Sequence, residues 1–275
     1  MKYLLPILLC LCGLLGCSRL DIAVNWADTY IVSQADDYFD LNSAQSKELK
    51  NEVQQDIRKV RKELFPKWAR SLRELEKETH TPLTEEGFHK YFQESLEEGR
   101  TLQPYFAETA AKFITQARPE QLEHFEKAIR KKNVEDEKKV QNGQQARDES
   151  RKKYLRWTEM WINSLTKDQE QLLNRHLAEH PFPLEKQIQN KNHALEKFTA
   201  ARLSPETLRS FVRDYVQDRG QYNDPDYQLA IKNYQSDLEK FVYQLALSLN
   251  DKQKKALSEN LLEKASALEK LAAKD

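Results

Sequence analysis

Leu165-Thr166-Lys167-Asp168-Gln169 sets the reading of this chain as helical, because it returns as Leu41-Asn42-Ser43-Ala44-Gln45 and as Leu249-Asn250-Asp251-Lys252-Gln253. In each copy an Asn or Thr can accept a hydrogen bond from an N–H that the first helical turn leaves orphaned, worth about 1 kcal/mol. The Gln three residues on can return a bond to the cap's own N–H, closing a capping box. Looser copies stand at Leu83-Thr84-Glu85-Glu86, Leu203-Ser204-Pro205-Glu206 and Arg118-Pro119-Glu120-Gln121. Pro119 and Pro205 suit the first helical position, where no N–H is needed. Leu83 with Phe88, and Leu203 with Leu208, have the spacing of hydrophobic staples. The intervals are irregular, which excludes a strict solenoid, and the motif reads as a helix start rather than a ligand site.

The segments behind these starts are amphipathic. After Asn42 the residues Leu49, Val53, Ile57, Val60, Leu64, Trp68, Leu72 and Leu75 recur three or four apart, as one helix face does. Pro66 is expected to kink that helix. After Pro119 a face of Leu122, Phe125 and Ile129 fades into a charged run at 131–139, and apolar residues return at Tyr154. Unbroken, Pro119 to Leu165 spans about 70 Å at 1.5 Å per residue. A break at Asn142-Gly143 makes it a hairpin, and in either form its middle projects into solvent. Pro181-Phe182-Pro183 is the best internal boundary, Gly220 to Asp226 reads as a loop, and Tyr227 to Leu249 carries a long clean stripe. The Lys/Glu-rich close of the chain, with Leu257, Leu261, Leu262, Leu268 and Leu271, is expected to fray. Near the start, Leu20, Val24, Ala27 and Ile31 predict a short helix that exits through Asp36-Asp37-Tyr38-Phe39-Asp40.

Composition agrees. Lys+Arg 44 balance Asp+Glu 44, so no global field recruits nucleic acid. With 11 Phe, 11 Tyr and 4 Trp the chain has the apolar bulk to fold. Beyond residue 16 glycine occurs only at Gly87, Gly99, Gly143 and Gly220, fewer than a sheet with tight turns needs. The fold class is therefore all-α, an elongated bundle of long amphipathic antiparallel helices.

The N-terminus carries an address. Tyr3 to Leu15 is an apolar run behind Met1-Lys2, too short to span a bilayer. It ends in Leu14-Leu15-Gly16-Cys17, which reads as a cleaved export signal closing on a lipobox, with Cys17 as the acylated thiol. The 3 Cys are Cys10, Cys12 and Cys17, so cleavage leaves a domain with no free thiol and no disulfide. The expected organisation is a signal peptide at 1–16, a lipid-anchored segment at 17–41, a helical region with long projecting helices at 42–180, and a C-terminal helical region at 184–275.

No catalytic constellation emerges: there is no phosphate-binding loop and no nucleophile elbow, and the reading is of a non-enzyme without cofactor. His176 and His180 share a helix face but lack a third ligand, so no metal site is assigned. Lys131-Lys132 and Arg151-Lys152-Lys153 are interleaved with acids, a solvated face rather than a nucleic-acid contact. Trp157 and Trp161 stand four apart with Tyr154 and Met160 beside them. Core packing is their default role, and a groove for partner or unfolded chains is the functional alternative.

Three features together resemble an uncharacterised family of Gram-negative lipoproteins, known only as a domain of unknown function. They are Cys17-Ser18-Arg19-Leu20-Asp21 at the lipobox, Asp36-Asp37-Tyr38-Phe39-Asp40-Leu41 before the first long helix, and Trp157 through Leu165-Thr166-Lys167-Asp168-Gln169. The last motif also looks like the Leu-Thr-x-x-Gln of the much shorter Spy-like periplasmic chaperones. The resemblance implies an α-helical lipoprotein and supplies no catalytic residues. Lipoproteins of this kind stay in the inner membrane when Asp follows the Cys, so Ser18 implies the outer membrane, facing the periplasm. The expected partners are that membrane, through Cys17, and envelope proteins, bound in a structural role or, alternatively, as clients of a chaperone.

Overall fold

A computed structural model describes residues 17–274; residues 1–16, expected to be a signal peptide, and the side chains of Cys17, Ser18, Arg19 and Lys139 lie outside what it describes. The chain is all-α, with no strand among the described residues. Helices α1 (Cys17–Phe39), α2 (Ser43–Glu63), α3 (Phe65–Glu78) and α4 (Glu85–Arg100) are followed by a 3-10 turn (Gln103–Phe106), α5 (Ala107–Thr115) and α6 (Pro119–Gln141). Helices α7 (Gly143–Ile162), α8 (Lys167–Glu179), α9 (Leu184–Ala201) and α10 (Pro205–Gln217) are followed by a second 3-10 turn (Arg219–Tyr222), α11 (Pro225–Leu247) and α12 (Asp251–Ala272). The order thus repeats: four helices, a 3-10 turn, two helices.

The capping boxes explain why. Asn42, Thr166 and Asn250 accept the N–H groups of Gln45, Gln169 and Gln253 at 2.9, 3.3 and 3.0 Å. Each Gln returns a bond to the cap, and Gln121 does the same to Arg118 N–H at 3.0 Å. The glutamines then pair with each other. Gln45 and Gln121 exchange two bonds of 3.0 Å, and Gln169 and Gln253 exchange bonds of 3.0 and 2.7 Å. Spare donors reach main-chain carbonyls: Gln121 to Phe39, Gln169 to Ser248 and Gln253 to Ser164. The starts of α2 and α6 are joined in this way, and those of α8 and α12 likewise. Helix α1 packs on α2 and α6 as α7 packs on α8 and α12.

Several local expectations change. Helix α1 runs on to Phe39, because nothing in residues 36–39 breaks it and Phe39 stacks on Phe125 at 4.8 Å. The bend expected at Pro66 falls at Leu64, whose backbone stays helical (φ −98°, ψ −39°) between α2 and α3, with Pro66 in the first turn of α3, where its missing N–H leaves no bond unmade. The 119–165 stretch breaks at Asn142 (φ −103°, ψ 75°), whose side chain caps α7, and the elbow at 141–145 is exposed. The 220–226 loop is a 3-10 turn followed by an Asp224-Pro225 helix start, with Asp224 accepting from Asp226 and Tyr227 N–H. The Leu203 staple does not form, since Leu203 is 87% exposed.

The largest correction concerns α12. It does not fray but lies in the core along α3, with Ala265, Ala267, Leu268 and Leu271 buried beside Leu64, Phe65 and Ala69. Small residues let it approach closely. Its end is clipped by Arg61, which donates to the carbonyls of Leu271 and Lys274 at 2.8 Å, and by a two-pronged Arg73–Glu269 pair at 2.7 and 2.8 Å.

The glutamine joint is testable. Gln169→Glu keeps the acceptor of the capping box but removes the donor to Gln253 and Ser248 and buries a charge. We expect it to cost about 3 kcal/mol, roughly 6–12 °C in Tm. Thr166→Ala, which removes only the cap, should cost about 1 kcal/mol. Thermal melts showing Gln169→Glu no worse than Thr166→Ala would argue against the joint.

Candidate functional site

The core is divided into three buried clusters, one on α1, α2, α3 and α12, one on α1, α5, α9 and α10, and one on α7, α8 and α11. The clusters are linked by α7 against α12 and by α9 against α11. Helices α3, α4, α7, α9, α10, α11 and α12 stand around a largely apolar cavity of about 2740 Å³ that opens to solvent. Pockets for small molecules run to about 300–1,000 Å³, so this space suits something larger.

All four aromatic and thioether residues singled out on α7 line it: Tyr154, Trp157, Met160 and Trp161. Their spacing puts Tyr154, Trp157 and Trp161 on one helix face. Met160 is buried and the others are half-buried, packed on the α7–α8–α11 cluster while still facing the cavity. Lys264 of α12 lies 4.9 Å above the Trp161 ring and donates to the Met160 carbonyl at 3.3 Å. Its charge thus sits at the negative end of α7.

The other walls were legible only as helix faces. Helix α4 contributes Phe88, Tyr91, Phe92 and Leu96, and α11 contributes Tyr227, Ile231, Leu238 and Val242. Helix α4 has no fully buried residue. It is held at its edges by Phe88 against Tyr243 (5.3 Å), by His89 and Gln93 on Glu239 (2.6 and 3.1 Å), and by a Ser71–Glu98 hydrogen bond. Burial pushes the Glu98 carboxyl above its ordinary value. No signal in the sequence separated these aromatics from ordinary core.

A polar network backs the α7 wall. The Tyr154 hydroxyl is 2.7 Å from that of Tyr234 and 3.2 Å from His176 Nε2. The buried His176 ring stacks on Phe241 at 4.6 Å. Burial pushes both phenols up and His176 below its ordinary value. His180 turns instead to Asp237, at 2.9 Å. The two histidines are thus separately engaged, and no cluster of three or more His, Cys, Asp or Glu suited to a metal occurs among the described residues.

Further polar pairs lie buried where a solvated face was expected. Asn133 of α6 donates to Asn192 at 2.6 Å, and Asp136 meets Lys191 at 2.9 Å. Both continue the register of Leu122, Phe125 and Ile129, which was the signal available in the sequence.

The model of a family described as "Family of unknown function (DUF6279)" matches residues 37–228. No curated protein and no solved structure matches the chain.

Because the folded state holds His176 neutral while the unfolded chain takes up a proton near 6.5, stability is lost as pH falls below that value. Between about pH 7.5 and about pH 5.5 the wild type should lose more Tm than His176→Gln. Parallel losses in melts of the two proteins would remove His176 from the account.

Proposed function

The chain belongs to this family of unknown function, and we propose that it is a lipoprotein of the outer membrane, facing the periplasm, that works by binding protein in the envelope. The observation that carries the binding is the cavity lined by Trp157, Trp161, Phe88 and Phe92. Large aromatic side chains, Trp and Tyr above all, recur at the energetic centres of protein interfaces. The volume exceeds that of a small-molecule pocket, and the walls are apolar enough to reward a polypeptide segment that buries its own apolar side chains. The tether rests on Leu14-Leu15-Gly16-Cys17 and on the arithmetic of acyl chains, each buried CH₂ adding about 0.8 kcal/mol.

A periplasmic chaperone is the second reading, and α4 favours it. A wall with no fully buried residue is cheap to displace, as transient capture of varied clients requires.

Two experiments test this. Cys17→Ala should move the protein from the membrane to the soluble envelope fraction, and mass spectrometry of the wild type should find acyl mass on the N-terminal Cys; a bare sulfur removes the tether. A photo-crosslinking residue at Trp157 should capture envelope protein in cells, whereas the same residue at Lys232, exposed and away from the cavity, should not. One dominant adduct marks a scaffold and many marks a chaperone. Equal yields at both positions exclude the cavity as the binding surface.

A further inference from the structure

A second surface lies on α1. From residue 20 to residue 35 its exposed positions are Ile22, Asn25, Trp26, Thr29, Tyr30 and Ser33, and none is charged. In a chain of which 32% is charged, such a face is unusual for one meeting only water. Ile22, Trp26 and Tyr30 are 55, 63 and 45% exposed and stand four apart, so they form one stripe about 12 Å long. The other large exposed apolar residues, such as Leu203 and Leu229, are scattered singly.

The stripe cannot turn inward. Leu20 and Val24, on the opposite side of α1, are buried with Leu268 and Leu271. The nearby acids are drawn away from it: Asp21 pairs with Lys274 at 3.2 Å, and Asp28 accepts from Gln54 at 2.7 Å. Immediately before α1 lie the sixteen residues outside the described structure, of which Tyr3 to Leu15 is an apolar run ending at the first turn. On the lipoprotein reading, cleavage after Gly16 and acylation of Cys17 leave the start of α1 at a bilayer.

We propose that the Ile22–Trp26–Tyr30 stripe beds into the headgroup region of the membrane to which Cys17 is tethered. This rests on the lipoprotein reading and extends it. Indole and phenol rings favour the membrane–water interface, and a helix with one apolar face lies in that plane. The acyl chains hold the protein to the surface; the stripe lays α1 along it. Because α1 is packed on α2, α6 and α12, seating α1 fixes the attitude of the whole bundle and of its cavity.

The test uses full-length protein purified from membranes and reconstituted in phosphatidylethanolamine–phosphatidylglycerol vesicles, with and without brominated acyl chains. Trp26 is one of 4 Trp, so bromolipid should quench the wild type by roughly a quarter of its emission beyond what it quenches in Trp26→Phe. Equal quenching in the two proteins overturns the proposal. Equal quenching with Trp26 nonetheless shielded from aqueous iodide also overturns it, in favour of a protein on this face. The N-terminal mass, read on the same sample, keeps the two ideas apart. Acylated Cys17 without the Trp26 difference sinks the stripe alone, and a bare Cys17 with the difference sinks the tether alone.

Discussion

Two pairs of glutamine side chains hold this architecture together. A capping box on an isolated helix works with Glu or Gln, since either supplies the acceptor for the cap's N–H. Joining two boxes demands more. The side chain must accept from its own cap, accept from its partner and donate in return, and only the amide does all three. Gln45 with Gln121, and Gln169 with Gln253, meet that demand. Carboxylates there would set two negative charges together in a buried site, at a cost of several kcal/mol. The joint also brings together two helix N-termini, which repel through their dipoles. At α8 and α12 the repulsion is offset by Asp168, Glu170 and Asp251 in the first turns. The looser helix starts, at Thr84 and Ser204, have Gly87 and Thr207 where the paired starts have Gln; their helices begin unpaired, with Leu83 and Leu203 exposed.

Joining helices by their starts has a geometric consequence. The N-termini are pinned while the bodies are free to diverge, so packing density concentrates in separate clusters rather than along one axis. That is the arrangement found: three cores on the flanks and an open middle. Apolar wall left facing water forgoes about 25 cal/mol per Å². The flanking cores and the clamps on α12 supply the stability that lets the walls stay apart.

This division explains what the sequence could and could not yield. Helix starts, the all-α class and the placement of Trp157 and Trp161 on one face follow from local spacing. The Gln–Gln pairs join positions 76 and 84 residues apart, and no local pattern announces that. The burial of α12 was hidden because its contact residues include Ala256, Ala265 and Ala267, which contribute little to an apolar stripe yet allow close approach. The polar pairs at Asn133 and Asp136 were hidden by the charged residues around them, although both sit in the register of the apolar face. Cavity lining could not be told from core, since an aromatic at helical spacing reads alike whether its far side meets a neighbour or space.

Of the walls around that space, α4 differs in kind. Its apolar residues are spent on the cavity and none on a core, so what keeps it in place is Phe88 on Tyr243, the Glu239 contacts and the Ser71–Glu98 bond. Exposed polar contacts of this sort contribute little each. The α7 wall is the reverse: Met160 is buried, Trp161 lies beneath Lys264, and Tyr154 is fixed from behind by Tyr234 and His176. A firmly held aromatic wall and a weakly held one line the same cavity, an arrangement in which an occupant can displace one side while binding to the other.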